Sequence, residues 1–357
     1  EPAELDADPW LLNAPNGVVD LRTGALHPHA RDLLMSRMAG APYQPEGRCP
    51  MFERFLARIM GISPDASEGE LEGAERLVSY LQKVFGYAAT GSVVEKAMFV
   101  FYGTGNNGKT TLLEVIRAAL GDYAGSIQVD TLTTRERDNS VNTDLADLCG
   151  KRMVCSSECE DGRRLAVARV KHLTGMATLK ARRLRENMFE WQPTHKLFLD
   201  TNYKPVIRGI EEATWERMHC VPFRVTIPPA ERDLRLLDKL KAELPGVVSW
   251  LVRGAQRWLA EGLERPLEVQ AATDQYREES DPLAEFIEDR CEVDRDACVA
   301  FADLWKAYLA WGEAAGEKFT ISRRRFGDLL TEKGFKPFRD MRSRRRQGLR
   351  LRPDGLL

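Results

Sequence analysis

The sequence lacks the features that would mark a disulfide-stapled, zinc-bound or membrane-spanning chain. Its seven cysteines (Cys49, Cys149, Cys155, Cys159, Cys220, Cys291, Cys298) form no C-x-x-C pair, and its five histidines complete no zinc spacing. Reduced, mostly buried thiols in a cytosolic protein are the expectation. No apolar run approaches the roughly 20 residues a bilayer requires, and no basic-then-apolar leader opens the chain. Net charge is also scarce, at -2, so any contact with a polyanion must be local. The first residue is Glu1 rather than Met, which reads as a piece excised from something longer.

What the chain does have is length and an uneven charge distribution. Its 357 residues suggest two or three domains, each able to bury a core. With 43% hydrophobic and 30% charged residues, the composition is that of an ordinary globular protein. Residues 323 to 352 gather twelve Arg and Lys against Asp328, Glu332 and Asp340. That basic stretch includes Arg323, Arg324, Arg325, Arg344, Arg345 and Arg346, and its concentration suits a nucleic-acid contact.

The most informative stretch is Ala97 to Leu120. Strand-forming Met98 to Tyr102 runs into Gly103-Thr104-Gly105-Asn106-Asn107-Gly108-Lys109-Thr110-Thr111, and a helical pattern follows, closed by Gly121. This is G-x-x-x-x-G-K-[ST] between a strand and a helix. A triphosphate wrapped by backbone N–H groups needs glycine where side chains would block the approach. The helix N-terminus favours the negative charge. Lys109 is expected to reach the β- and γ-phosphates and Thr110 to help hold Mg²⁺.

Upstream, Trp10 to Gly24 reads as two short strands around an Asn-Gly turn, followed by helical patterns at Met51 to Ile59 and Glu70 to Tyr87. This small unit reads as a packing or oligomerisation collar without chemistry. Downstream, Lys151 to Glu158 reads as a buried strand ending in a carboxylate. A P-loop ATPase needs an acid there to hold the Mg²⁺ shell and polarise the attacking water, with Glu158 the first choice and Glu160 the second. Thr178 to Trp191 resembles a hairpin with Lys180, Arg182, Arg183 and Arg185 near its tip. It is either a solvated edge blunted by charge or a finger gripping a phosphate backbone. The strand His195 to Asn202 ends in an amide that could bond the γ-phosphate, and Arg217 precedes an apolar strand in the manner of an arginine finger.

In this order the elements resemble the superfamily-3 helicases, most closely the primase-helicases of satellite phages, plasmids and poxviruses. Asn16 to Gly24 is similar to the start of that family's helical N-terminal domain, and Gly103 to Thr111 to its nucleotide loop. Gly150 to Val154 with Glu158 and Glu160 resembles its acidic motif. Arg169-Val170-Lys171, Leu173-Thr174-Gly175 and Ala181-Arg182-Arg183 resemble the approach to its DNA-gripping hairpin. Asn202-Tyr203-Lys204-Pro205 is similar to its asparagine motif, and Trp215 to Phe223 to its arginine-finger strand. Asp147 departs from the pattern, since relatives often carry a basic residue there, and no nucleotide contact is assigned to it.

The resemblance implies an α/β fold, with a P-loop, AAA+-like core over 93–280 preceded by a helical domain over 1–92. A winged-helix-like basic domain would cover 281–357. It implies an ATP- and Mg²⁺-dependent DNA helicase of a phage or mobile element, acting in the bacterial cytoplasm on single-stranded or forked DNA. The ring, a hexamer by resemblance, would share ATP sites between subunits and move 3′ to 5′, alongside an upstream primase domain or other replication proteins. Lys109, Glu158, Glu160, Asn202 and Arg217 would carry catalysis. Thr110 and Glu158 would hold the metal, and Lys180, Arg182, Arg183 and the tail arginines would contact DNA. An ATP-dependent loader or packaging motor, or a non-catalytic origin-binding protein, are the rival expectations.

Overall fold

The computed structural model describes residues 4–133, 143–157, 163–182, 187–207, 212–314, 322–339 and 344–352. The chain is mixed α/β and divides into two compact units. One comprises residues 1–207 and 211–276, the other 208–210 and 277–357.

The first unit opens with an antiparallel three-stranded sheet, β1 (Leu11–Ala14), β2 (Gly17–Asp20) and β3 (Ala25–His27). The hairpin expected around Asn16-Gly17 is present with its turn one residue earlier, at Pro15-Asn16, and Gly17 opposite Ala14 as the first residue of β2. Helices α1 (Pro50–Met60) and α2 (Glu68–Ala89) follow. A capping box between Ser67 and Glu70 starts α2, satisfying N–H groups that the first turn leaves open.

Next come β4 (Met98–Tyr102), α3 (Lys109–Leu120), β5 (Ala124–Ser126), the short α4 (Val129–Leu132) and α5 (Thr143–Ala146), and β6 (Met153–Ser157). Helix α6 (Val167–Leu173) leads to a hairpin of β7 (Leu179–Arg182) and β8 (Met188–Trp191). The sheet resumes with β9 (Lys196–Thr201), short α7 (Glu212–Trp215) and β10 (Met218–Pro222), and helices α8 (Leu236–Lys241), α9 (Leu244–Glu261) and α10 (Leu267–Glu279) close the series.

The central sheet has the order β10-β4-β9-β6-β5, with all neighbouring pairs parallel. Parallel strands are covered on both faces, and their side chains divide accordingly. Phe99 and Phe101 point into a core shared with α1, α2, α3 and α9, while Met98 and Val100 point into a second core with α6, the hairpin and α10. Every C-terminal strand end therefore opens on the same edge, which is where ligands of such sheets bind.

The boundary expected at residue 92 falls inside one shared core. Phe85 of α2 stacks on Phe198 of β9 and meets Phe101 of β4 edge-on. Helices α2 and α9 cross so closely that a Cβ on Gly86 would lie 2.1 Å from the Gly254 backbone. Two buried cations tie the C-terminal end of α2 to the sheet. Arg152 donates to Ala89 O and Leu11 O, and Lys196 donates to Thr90 O, Ser92 O and Thr194 O. A helix C-terminus offers unpaired carbonyls and negative potential, so buried positive charge is satisfied there.

In the second unit, helix α11 (Pro282–Arg290) is capped by Asp281, whose carboxylate accepts from Leu283 N and Ala284 N. Strand β11 (Cys291–Ala300), α12 (Phe301–Ala314), α13 (Arg323–Glu332), β12 (Pro337–Arg339) and β13 (Arg344–Leu351) follow. The three strands form an antiparallel sheet in the order β11-β13-β12. Leu304, Tyr308, Phe326, Leu330 and Leu349 fill its core. The Ser322 hydroxyl caps α13 by accepting from Arg325 N at 3.2 Å, as its position before the basic helix predicts. No helix among the described residues is long and apolar enough to cross a membrane.

Candidate nucleotide-binding site

Between β4 and α3 the chain must turn tightly enough to present backbone N–H groups along the helix axis. Gly108 precedes α3 with φ +83, and a Cβ there would lie 2.6 Å from the Ile59 side chain. Only glycine fits both the left-handed backbone and the close approach of α1. The loop is pinned from outside by Ile227 N donating to Asn106 O at 2.8 Å, and Phe223 N donates to Tyr102 O at 2.8 Å. These bonds hold the loop open at the C-terminal edge of the sheet, over the first turn of α3.

Lys109 is almost wholly buried. Its Nζ donates to Gly103 O at 2.9 Å, Asn107 Oδ1 at 3.2 Å and Asn202 Oδ1 at 3.2 Å, with Asp200 Oδ1 at 3.9 Å. Burial lowers its pKa, and the Asp200 charge opposes that shift. The Thr110 hydroxyl donates to Asp200 Oδ2 at 2.8 Å. Thus Asp200 near the end of β9 reaches Thr110, and Asn202, one residue beyond the strand, reaches Lys109. Asn202 is expected here from the sequence, and Asp200 is not. An acid two residues before the amide, at the end of a buried strand, is the signal that could have found it.

Two cavities flank the loop. One, about 420 Å³, is lined by Thr110, Glu114, Arg117, Asp147, Ser156 and Asp200 among others. Asp147, to which no contact was assigned, lines this cavity. Among the described residues, the Ser156 hydroxyl and the Asn107 side-chain NH₂ are buried with no hydrogen-bond partner. Buried polar atoms of this kind are normally satisfied by ligand or water. The other cavity, about 370 Å³, lies beside Asn106, Gly108 and Thr111. Met51 and Phe55 of α1 wall it together with Ile227 and Leu236. Arg58 of α1 pairs with Glu231 at its rim.

The remaining expected site residues are scattered. Glu158, Glu160 and Arg183 lie outside the described residues. Arg217 precedes β10 at the N-terminal edge of the sheet, its carbonyl accepting from Met98 N and its guanidinium 3.5 Å from Lys96 O. It is therefore at the opposite end of the sheet from the loop in its own chain. Lys180 and Arg182 project from the exposed face of β7, while Leu179 and Ala181 pack inward. Lys180 pairs with Glu190 at 2.7 Å.

In the second unit Arg323, Arg324 and Arg344 are exposed, and Arg325 pairs with Glu332 at 2.9 Å. Arg346 departs from the expected outward role. It turns inward and donates to Gly327 O, Thr331 Oγ1 and Phe335 O. Its position opposite Pro337 sets it on the inner face of the β12–β13 pair, where it joins α13 to the strands.

The fold and the loop define a mixed α/β protein built on a P-loop-like core. Residues 1–61 match the family model described as D5 N terminal like, residues 101–217 a family of unknown function (DUF5906), and residues 278–344 the model described as Poxvirus D5 protein-like. A putative helicase of Acanthamoeba polyphaga mimivirus is 26% identical over 304 residues, covering 80% of this chain and 31% of the relative. One from Frog virus 3 is 30% identical over 297 residues, covering 76% and 29%. Primase D5 of Fowlpox virus is 24% identical over 229 residues, covering 62% and 28%. The chain thus spans about three tenths of the length of these curated relatives. The apo structure of the NrS-1 C terminal region overlays with TM-score 0.50 at 11% identity, covering 86% of this chain and 77% of that one, a likeness of fold. The chain resembles the superfamily-3 primase-helicases, as its motifs implied.

Proposed function

We propose that this chain is the ATP-driven motor of a DNA-replication helicase. The observation that carries the reading is the convergence of Lys109, Thr110, Asp200 and Asn202 on one phosphate-type loop. The N–H groups of the loop and of the first turn of α3 would receive the triphosphate. Lys109 would exchange its bonds to Gly103 O and Asn202 Oδ1 for phosphate oxygens. Thr110 and Asp200 offer the hard oxygen donors that Mg²⁺ prefers, and it commonly takes one or two carboxylates beside phosphates. Bound there, Mg²⁺ would neutralise charge developing on the phosphate oxygens.

The two cavities suit the two ends of a nucleotide. The polar one adjoins Thr110 and would take the metal-bound phosphates, while the more apolar one adjoins Thr111 and would take the base. On this reading α1 supplies part of the nucleotide site, in place of the inert collar expected of the N-terminal segment. Asn202 would sense the γ-phosphate, Glu158 or Glu160 would orient water, and Arg217 would complete a neighbouring subunit's site in a ring. The hairpin carrying Lys180 and Arg182 would draw single-stranded DNA through the ring, 3′ to 5′. The helix–strand–helix–helix–hairpin order of the second unit suits a winged-helix DNA-binding module. A phage or mobile-element setting belongs to the same proposal, beside relatives that come from large DNA viruses.

The test is Lys109→Ala. It should abolish ATP hydrolysis stimulated by single-stranded DNA while leaving the melting temperature within a few degrees of the parent. Unchanged turnover refutes the site. A strand-displacement assay on forked DNA separates a helicase from a loader or packaging motor.

A further inference from the structure

The aromatic rings of the second unit are packed inward, with one exception among the described residues. Phe338 of β12 is 39% exposed. It lines an open groove of about 920 Å³ whose other walls include Arg323 and Arg324 of α13, Arg344 and Arg345 of β13, and Phe301. The Arg323 guanidinium lies 5.6 Å from the Phe301 ring centre, so the floor of the groove is already a cation–aromatic stack. Asp328 is the acid among its lining residues.

The chemistry of these walls distinguishes two forms of polynucleotide. A duplex presents phosphates and base edges, and arginines satisfy both. A phenyl ring meets neither, because the base faces are occupied by stacking. It gains a partner only where a base is unpaired and turns its face outward, and there rings and arginines together grip sequence-tolerantly. We propose that this groove holds an unpaired nucleotide. The base stacks on Phe338, and the flanking phosphates lie against Arg323, Arg324 and Arg344. The second unit would then engage a single strand, or the unpaired arm of a fork, in preference to continuous duplex. This deepens the proposed nucleic-acid role and rests on it, but is independent of nucleotide hydrolysis.

The experiment is fluorescence anisotropy of the full chain, without nucleotide, on a single-stranded DNA oligomer, a single-stranded RNA of equal length and a blunt DNA duplex. A DNA strand carrying 2-aminopurine reports stacking directly. Phe338→Ala should weaken single-strand DNA binding by about 10-fold, the lower part of the range for loss of one stacked base. Duplex binding should change less than 2-fold. Phe338→Leu should behave like the alanine variant and Phe338→Trp like the parent. Quenching of 2-aminopurine should weaken in parallel.

Equal losses on single strand and duplex, or none on either, overturn the proposal, as does full binding by the leucine variant. Because leucine and tryptophan keep an apolar side chain at an exposed site, their contrast separates stacking from folding. An RNA affinity above that for DNA would make RNA the strand taken, still through this groove. A parent protein that binds none of the three refutes the nucleic-acid reading itself, whereas parent binding unaffected by any variant refutes only the groove.

Discussion

At the scale of single residues, Lys109 shows what the site is arranged to do. A buried ammonium is costly unless its hydrogens are satisfied, and here Gly103 O, Asn107 Oδ1 and Asn202 Oδ1 satisfy it. Neutral acceptors hold the lysine in a position that phosphate oxygens could contest. Asp200 lies too far for a short ion pair with Lys109 but bonds Thr110 directly. It is better placed to serve a cation at Thr110 than to neutralise the lysine. Asp200→Asn should therefore raise the Mg²⁺ concentration needed for half-maximal ATP hydrolysis by about 10- to 100-fold, as loss of a metal-site partner typically does. Turnover measured across a Mg²⁺ titration decides it, and an unmoved midpoint returns the metal to Thr110 and Glu158. The glycine loop was legible because its spacing encodes its chemistry. Asp200 was not, because an acid at a strand end has no spacing of its own and gains meaning only when β9 lies beside β4.

At the scale of elements, strands and caps were readable wherever flanking residues imposed them, as with Ser322 before α13 or the paired strands around Asn16-Gly17. The expected boundary at residue 92 runs through one packed core, because the contacts that cross it join residues far apart in sequence. Phe85 on Phe198 is one, and Tyr80 of α2 on His219 of β10 is another, with the hydroxyl bonded to Nδ1. This second pair also makes stability depend on pH. Burial lowers the His219 pKa from 6.5 to about 3, so the folded chain keeps the imidazole neutral while the unfolded chain protonates it near 6.5. Below that value the unfolded state binds more protons, and stability falls by up to about 1.4 kcal/mol per pH unit until the folded pKa is reached. Buried His195, lowered to about 4, adds to the same trend. His219→Gln keeps a bond to Tyr80 and removes the titration. Melting temperatures between pH 7 and 4.5 should fall less steeply for this variant than for the parent. Parallel curves would mean that His219 is already charged in the fold.

At the scale of the whole molecule, the sheet separates two parts of the proposed chemistry. The loop lies at the C-terminal edge of β4 and Arg217 before the N-terminal edge of adjacent, parallel β10. Five residues of strand span roughly 16 Å, which a guanidinium bonded near Lys96 O does not bridge. Nothing in the order of residues discloses this, since Arg217 follows Asn202 closely in sequence and joins the loop's strand in the fold. The buried Arg217 Nε has no partner among the described residues, and an unsatisfied buried donor is unusual enough to require a reason. A phosphate brought by a second copy would supply one if contact with that copy re-aims the guanidinium. Arg217→Ala should then lower turnover by about 10³-fold, as expected for loss of a finger acting in trans. Mixing it with the Lys109→Ala chain should restore activity that neither variant has alone, because an intact loop would face an intact arginine in some of the mixed interfaces. ATP hydrolysis measured against the mixing ratio should peak at an intermediate composition. A flat profile would confine Arg217 to its own subunit, bracing Lys96 at the start of β4.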